Sequence, residues 1–211
     1  HDLHMLKRLK TGPGARANPF RRAWRDRRGV SALEFALIAP VLILIYFGMA
    51  ELSQGLMAER RVSHAASAMG DLIAQYDSAN SPVKDADSAA VFAAAKAILS
   101  PFPTTALELR VTSIVMKAPA SGGAPQAVVD WSDPSVPGGS LPKLAKDTPM
   151  TVDPNLLSAV GDSVILAEAK YKYISPVGYV LPNGLAFTET FYEKPRKTQT
   201  VRRCYPADNC P

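Results

Sequence analysis

Histidine and cysteine are scarce in this chain, and the patterns that carry catalysis are missing. Of 211 residues three are His and two are Cys. His1 and His4 open the chain, which leaves His64 alone in its body. One imidazole without partners does not make an ordinary metal centre. There is no G-x-S-x-G elbow, no H-E-x-x-H and no G-x-x-x-x-G-K-[ST] phosphate loop. Asp130-x-Ser132 runs into Asp133-Pro134 instead of a second Ser, so a von Willebrand-type metal site is not supported either. These gaps predict no catalytic residue, no metal and no cofactor, hence a protein that is not an enzyme.

The two cysteines, Cys204 and Cys210, stand close together near the C-terminus with Pro206 between them. Their spacing is not that of a C-x-x-C redox motif, and zinc would need a second ligand pair. In an oxidising compartment they would close a small disulfide loop; in a reducing one they would stay free thiols. So short a loop constrains little chain, and a bridge there would stabilise at the low end of the usual range.

Charge is nearly absent from residues 30–50, VSALEFALIAPVLILIYFGMA, where Glu34 stands alone. As a helix this stretch reaches about 31 Å, close to the hydrocarbon thickness of a bilayer. The charge-free part, residues 35–50, falls short of that thickness. A span therefore puts Glu34 inside the apolar layer or at its edge, where a central charge costs about 2.5–3.5 kcal/mol. The default reading of such a residue is functional; the bland one is that it snorkels to the headgroups. Pro40, mid-span, removes one helical hydrogen bond and predicts a kink, which membrane helices tolerate.

What is abundant is positive charge before that stretch. Residues 1–28 hold nine Lys and Arg against Asp2 and Asp26, while the rest of the chain has 15 basic against 17 acidic residues. A basic tail beside a span is a positive-inside signal, which predicts residues 1–29 as a cytoplasmic leader and everything after the span outside. Such a tail meets anionic lipid headgroups. No series of stacking aromatics accompanies the arginines, so nucleic acid is not an expected partner. A cleaved secretory signal fits poorly: no convincing small-x-small site follows the apolar run, and the pattern passes straight into a helix.

Beyond the span, Leu52, Leu56, Val62, Ala65, Ala66, Met69, Leu72, Ile73 and Tyr76 recur at helical spacing, with Arg60, Ser63, Ser67, Asp71 and Gln75 on the other side. One helix over residues 31–77 is predicted, roughly 70 Å long. A second helix over residues 88–100 follows, capped by Asp85 or Asp87 and stopped by Pro101 and Pro103. Residues 105–117, 163–174 and 185–192 alternate as strands, and residues 126–131 read as a hairpin partner of the first. Residues 118–155 hold seven of the 18 prolines and four glycines, an irregular excursion with Trp131 as a possible anchor. Residues 154–160 suggest a short helix. The class is α+β: a long N-terminal transmembrane helix extending into an amphipathic one, a second helix and a small antiparallel sheet. The domains are residues 1–29, the span 30–51, an outer domain 52–203 and a cysteine loop 204–211.

Arg27-Arg28-Gly29 followed by Val30-Ser31-Ala32-Leu33-Glu34-Phe35 resembles the processing site of type IV prepilins. With Phe47-Gly48-x2-Glu51-Leu52, Val62-x2-Ala65-Ala66-x4-Asp71-Leu72-x2-Gln75 and the later Tyr171-x-Tyr173, Leu185-x-Phe187-x-Glu189-Thr190 and Lys194-Pro195-Arg196, the chain resembles TadE/TadG-like proteins of the tight-adherence (Flp-type) pilus system. The resemblance is strong over residues 25–77 and looser toward the C-terminus. It implies cleavage by a prepilin peptidase between Gly29 and Val30, which leaves Glu34 as the fifth mature residue, facing an amine of its own or a neighbouring subunit. Phe35 replaces the Tyr of the major Flp pilins, which argues against a fibre subunit. So does the large outer domain, which still leaves no room for the long extra domain of TadG-like members and so favours the TadE-like branch. Implied are a minor pseudopilin or assembly factor in the bacterial inner membrane, with its outer domain periplasmic. Its partners would be other pilus-assembly pseudopilins and inner-membrane platform proteins. The alternative is an unprocessed bitopic envelope protein whose outer domain binds a partner.

Overall fold

The computed structural model describes residues 29–119, 122–178 and 181–204. The chain divides into two units, up to Tyr46 and from Phe47 onward. In the described part of the first unit the backbone is helical from Val30, and its side chains are almost all exposed. Leu33, Phe35, Leu37 and Leu44 are all more than 60% exposed, which in water would be a large unpaired apolar surface. The helix continues through Pro40 without a break. The whole element, α1 (Val30–Ala74), is 45 residues long. One window of it has a mean hydropathy of 2.3 and none of its residues buried, enough to cross a membrane by length and composition.

The second unit is built on a four-stranded antiparallel sheet, β1 (Leu107–Lys117), β2 (Gln126–Pro134), β3 (Ser163–Tyr173) and β4 (Leu185–Glu193), in the order β2-β1-β3-β4. Local alternation places β3 as expected: Ile165, Ala167, Ala169, Tyr171 and Tyr173 all face one buried cluster. Leu107, Leu109 and Val111 of β1 join them, and a register shift between Ser113 and Ile114 turns β1 against β2. The last turns of α1 and the helix α2 (Asp85–Ile98) supply the other half of this core, through Val62, Met69, Ile73, Val91, Phe92 and Leu99. A smaller cluster of Ile114, Leu157, Val164 and Leu166 lies separately.

Three sequence expectations change. The buried stripe of α1 is Glu51, Gly55, Ala58, Val62, Ala65, Ala66, Met69, Gly70, Ile73 and Ala74, while Leu52, Leu56 and Leu72 are exposed. The sheet comes too close for large side chains: a Cβ on Gly55 would lie 3.0 Å from Leu185 Cδ1, and one on Gly70 3.1 Å from Ala167 Cβ. The cap of α2 is Lys84, whose N–H donates to Asp87 Oδ2 at 2.8 Å, so Asp87 acts from inside the first turn. Residues 154–160 make turns and no helix; the Leu156 N–H reaches the Asp153 carbonyl at 2.9 Å, and Leu157 anchors the smaller cluster. Trp131 sits inside β2, buried, and donates from Nε1 to the Val201 carbonyl at 2.6 Å.

Candidate functional site

Gly29 and Val30 stand where α1 begins, both exposed. Glu34 is exposed one turn further along the same helix, four residues from Val30, the separation that brings side chains to one face. Pro40 lies in the same helix and does not end it. Cys204 is buried; its expected partner Cys210 lies outside the described residues, as does the basic leader of residues 1–28.

In the second unit the residues that matter were not selected from the sequence as sites. Glu51 follows the apolar run directly, yet it is 3% exposed. Its Oε2 accepts the Leu181 N–H at 3.1 Å, which ties the β3–β4 connection to α1. One turn on, Gly55 lets Leu185 and Tyr173 close against the helix backbone. The only sequence signal for this turn is the Phe47-Gly48-x2-Glu51 spacing itself.

A second constellation fixes the C-terminal segment. Arg203 has a 3% exposed side chain and donates from Nε to Asp133 Oδ2 at 2.6 Å, and also to Asp85 and to the Cys204 carbonyl. Asp133 accepts from Ser88 Oγ at 2.8 Å as well. The Val83 N–H donates to the Arg202 carbonyl and the Cys204 N–H to the Val83 carbonyl, so residues 202–204 run beside residue 83 like a short strand. Neighbouring this segment is a cavity of about 830 Å³, lined among others by Trp131, Lys143, Lys146 and Arg202.

Two carboxylates outside the helix show what holds the excursion. Glu108 accepts from Ser140 Oγ, the main influence that keeps its carboxyl below the usual range, and from the Ser140 and Leu141 N–H groups. Asp162 is held low mainly by the Ala159 and Ser158 N–H groups. Burial raises the Tyr171 hydroxyl above its ordinary value, with Tyr173 adding to the shift. Among the described residues no three His, Cys, Asp or Glu side chains stand together as a metal site would need.

The geometry thus concentrates on α1: an exposed apolar half that begins at Val30, and a sheet-packed half that ends at Ala74. The family model for TadE-like protein matches residues 29–69, which takes in both. No curated protein and no solved structure matches the chain. Over residues 29–69 the chain is thus similar to TadE-like proteins.

Proposed function

We propose that the protein is a minor pseudopilin or assembly factor of a tight-adherence pilus. Residues 30–51 anchor it in the bacterial inner membrane, and the sheet-bearing domain stands in the periplasm. A prepilin peptidase cuts between Gly29 and Val30. The new amine and the Glu34 carboxylate, in the same or in neighbouring subunits, then neutralise one another within a helix bundle. A pair of opposite charges avoids most of the penalty that either would meet alone in hydrocarbon. Pro40 bends the span, and a Cys204–Cys210 bridge closes the C-terminal end. Other pseudopilins and the inner-membrane platform proteins are the partners, and its work is structural.

The observation that carries this reading is the TadE-like match beginning at Gly29, on a helix whose apolar half is wholly unburied and holds one carboxylate. Intact-mass measurement of the membrane-extracted protein tests it. In cells with an active prepilin peptidase the chain should begin at Val30, and deletion of the peptidase should restore the leader. A chain that keeps its leader in both strains is the unprocessed envelope protein instead.

A further inference from the structure

Within the second unit, the described ends of the β3–β4 connection lie against the first turns of its share of α1. Both of its feet rest on one turn of α1. Tyr173, the last residue of β3, and Leu185, the first of β4, close on Gly55, and the Leu181 N–H is bonded to Glu51 at 3.1 Å. Glu51 is the residue that follows the uncharged run of residues 35–50. In a membrane-anchored chain this places the connection at the level of the bilayer surface.

Its exposed side chains suit that level. Ile174 is 65% exposed, the highest value among the described large apolar residues beyond the apolar run, and Val177 is 45% exposed. They are held outward by an ordered turn: the Val177 and Gly178 N–H groups both donate to the buried Ser175 hydroxyl at 3.3 Å. The sequence around them carries no charged residue from Tyr173 to Thr188, sixteen positions, and exposed Lys172 precedes the run. Apart from Leu52, Leu56, Met57 and Leu72 on α1, the other exposed large apolar residues described beyond the apolar run, Val136, Val160 and Tyr192, are far from one another in sequence. An uncharged apolar turn flanked by Lys is what partitions into the zone between headgroups and acyl chains.

We infer that Ile174 and Val177 dip into the outer face of the bilayer, with the Lys172 ammonium among anionic headgroups. The occupant of this surface is lipid. The contact gives the periplasmic domain a second foothold beside its helix and fixes which side it presents to partners before assembly. The inference rests on the membrane-anchored reading of residues 30–51, and its test separates the two.

Single cysteines at Leu42, Ala89, Ile174 and Val177 are labelled with nitrobenzoxadiazole in the full chain, reconstituted at high dilution into phosphatidylcholine–phosphatidylglycerol vesicles. Unsubstituted protein carried through the same labelling sets the background from Cys204 and Cys210. Lipids bearing a shallow nitroxide should quench most of the emission at positions 174 and 177, with a blue shift, and leave position 89 on α2 bright. Quenching at 42 with 174 and 177 as bright as 89 overturns the inference and leaves the anchor intact. A label at 42 that lipids with a nitroxide near the acyl-chain end also leave unquenched overturns the anchor and the inference together. Protection at 174 that appears only as protein density rises assigns the surface to a neighbouring protein and also overturns it.

Discussion

At the residue scale the informative positions are those where a small or charged side chain does what its neighbours could not. Gly70 is one. Helix propensity favours Ala there by about 1 kcal/mol, but the sheet stands close: a Cβ would meet Ala167 Cβ at 3.1 Å and Glu193 Cγ at 3.2 Å. Gly70→Leu should destabilise by about 1–3 kcal/mol through overpacking, read as a lowered urea midpoint of the full chain in detergent. An unchanged midpoint would mean that α1 does not lie this close to β3. Glu108 is another. Its carboxyl is held below the ordinary range, chiefly by the Ser140 hydroxyl, so its unfolded value is the higher one. Its stabilisation is then complete above the ordinary carboxylate range and disappears as pH falls through the depressed folded value. Glu108→Gln should lower the midpoint at neutral pH and draw level with the parent protein in acid. A gap that stays constant with pH would exclude the ionised carboxylate as its source.

At the element scale, Arg203 binds three pieces together: the C-terminal segment, the start of α2 through Asp85, and the end of β2 through Asp133. Removing it takes from Asp133, only 7% exposed, the guanidinium that donates to its Oδ2. Arg203→Ala should cost about 3–5 kcal/mol, the usual penalty for stranding a buried partner. Arg203→Lys should recover only part of it, because an ammonium lacks the planar fork that reaches two carboxylates. Equal midpoints for the two variants would show that the fork is unimportant. This element was read from the sequence as tail, and the reason is physical. Residues 198–204, TQTVRRC, have no alternation; they are held by backbone pairing to Val83, by Arg203 and by side-chain bonds from Trp131, Ser78 and Ser163 to their carbonyls, none of which leaves a periodic trace. The strands were legible because each keeps an apolar face. The burial face of α1 was legible only in part, because Gly55, Ala58 and Gly70 do the packing where Leu52 and Leu56 seemed the better candidates. The placement of β3 beside β1 depends on a connection of nearly thirty residues, and no local pattern encodes that pairing.

At the scale of the whole molecule, the proposed orientation makes one prediction for both ends of the sequence, the leader's charge and the cysteines. Six arginines lie between residues 16 and 28, against Arg60 and Arg61 after the run. Positive residues close to a span stay in the cytoplasm and dominate its orientation. On the proposed topology the outer domain is delivered to an oxidising compartment, where Cys204 and Cys210 are expected to pair. Protein taken from cells into denaturant should resist alkylation at both cysteines and take up two alkyl groups only after reduction, read by intact mass. Replacing Arg21, Arg22, Arg25, Arg27 and Arg28 by Gln removes the asymmetry. A fraction of the chains should then insert the other way, with the outer domain in the cytoplasm, and those chains should alkylate without reductant. The two readouts must move together, since one event governs both. Cysteines that alkylate freely in the parent protein would contradict the assigned orientation, however the helix is processed. Cysteines that stay oxidised in the Gln variant would mean that the folding domain, and not the leader, decides which way this chain enters the membrane.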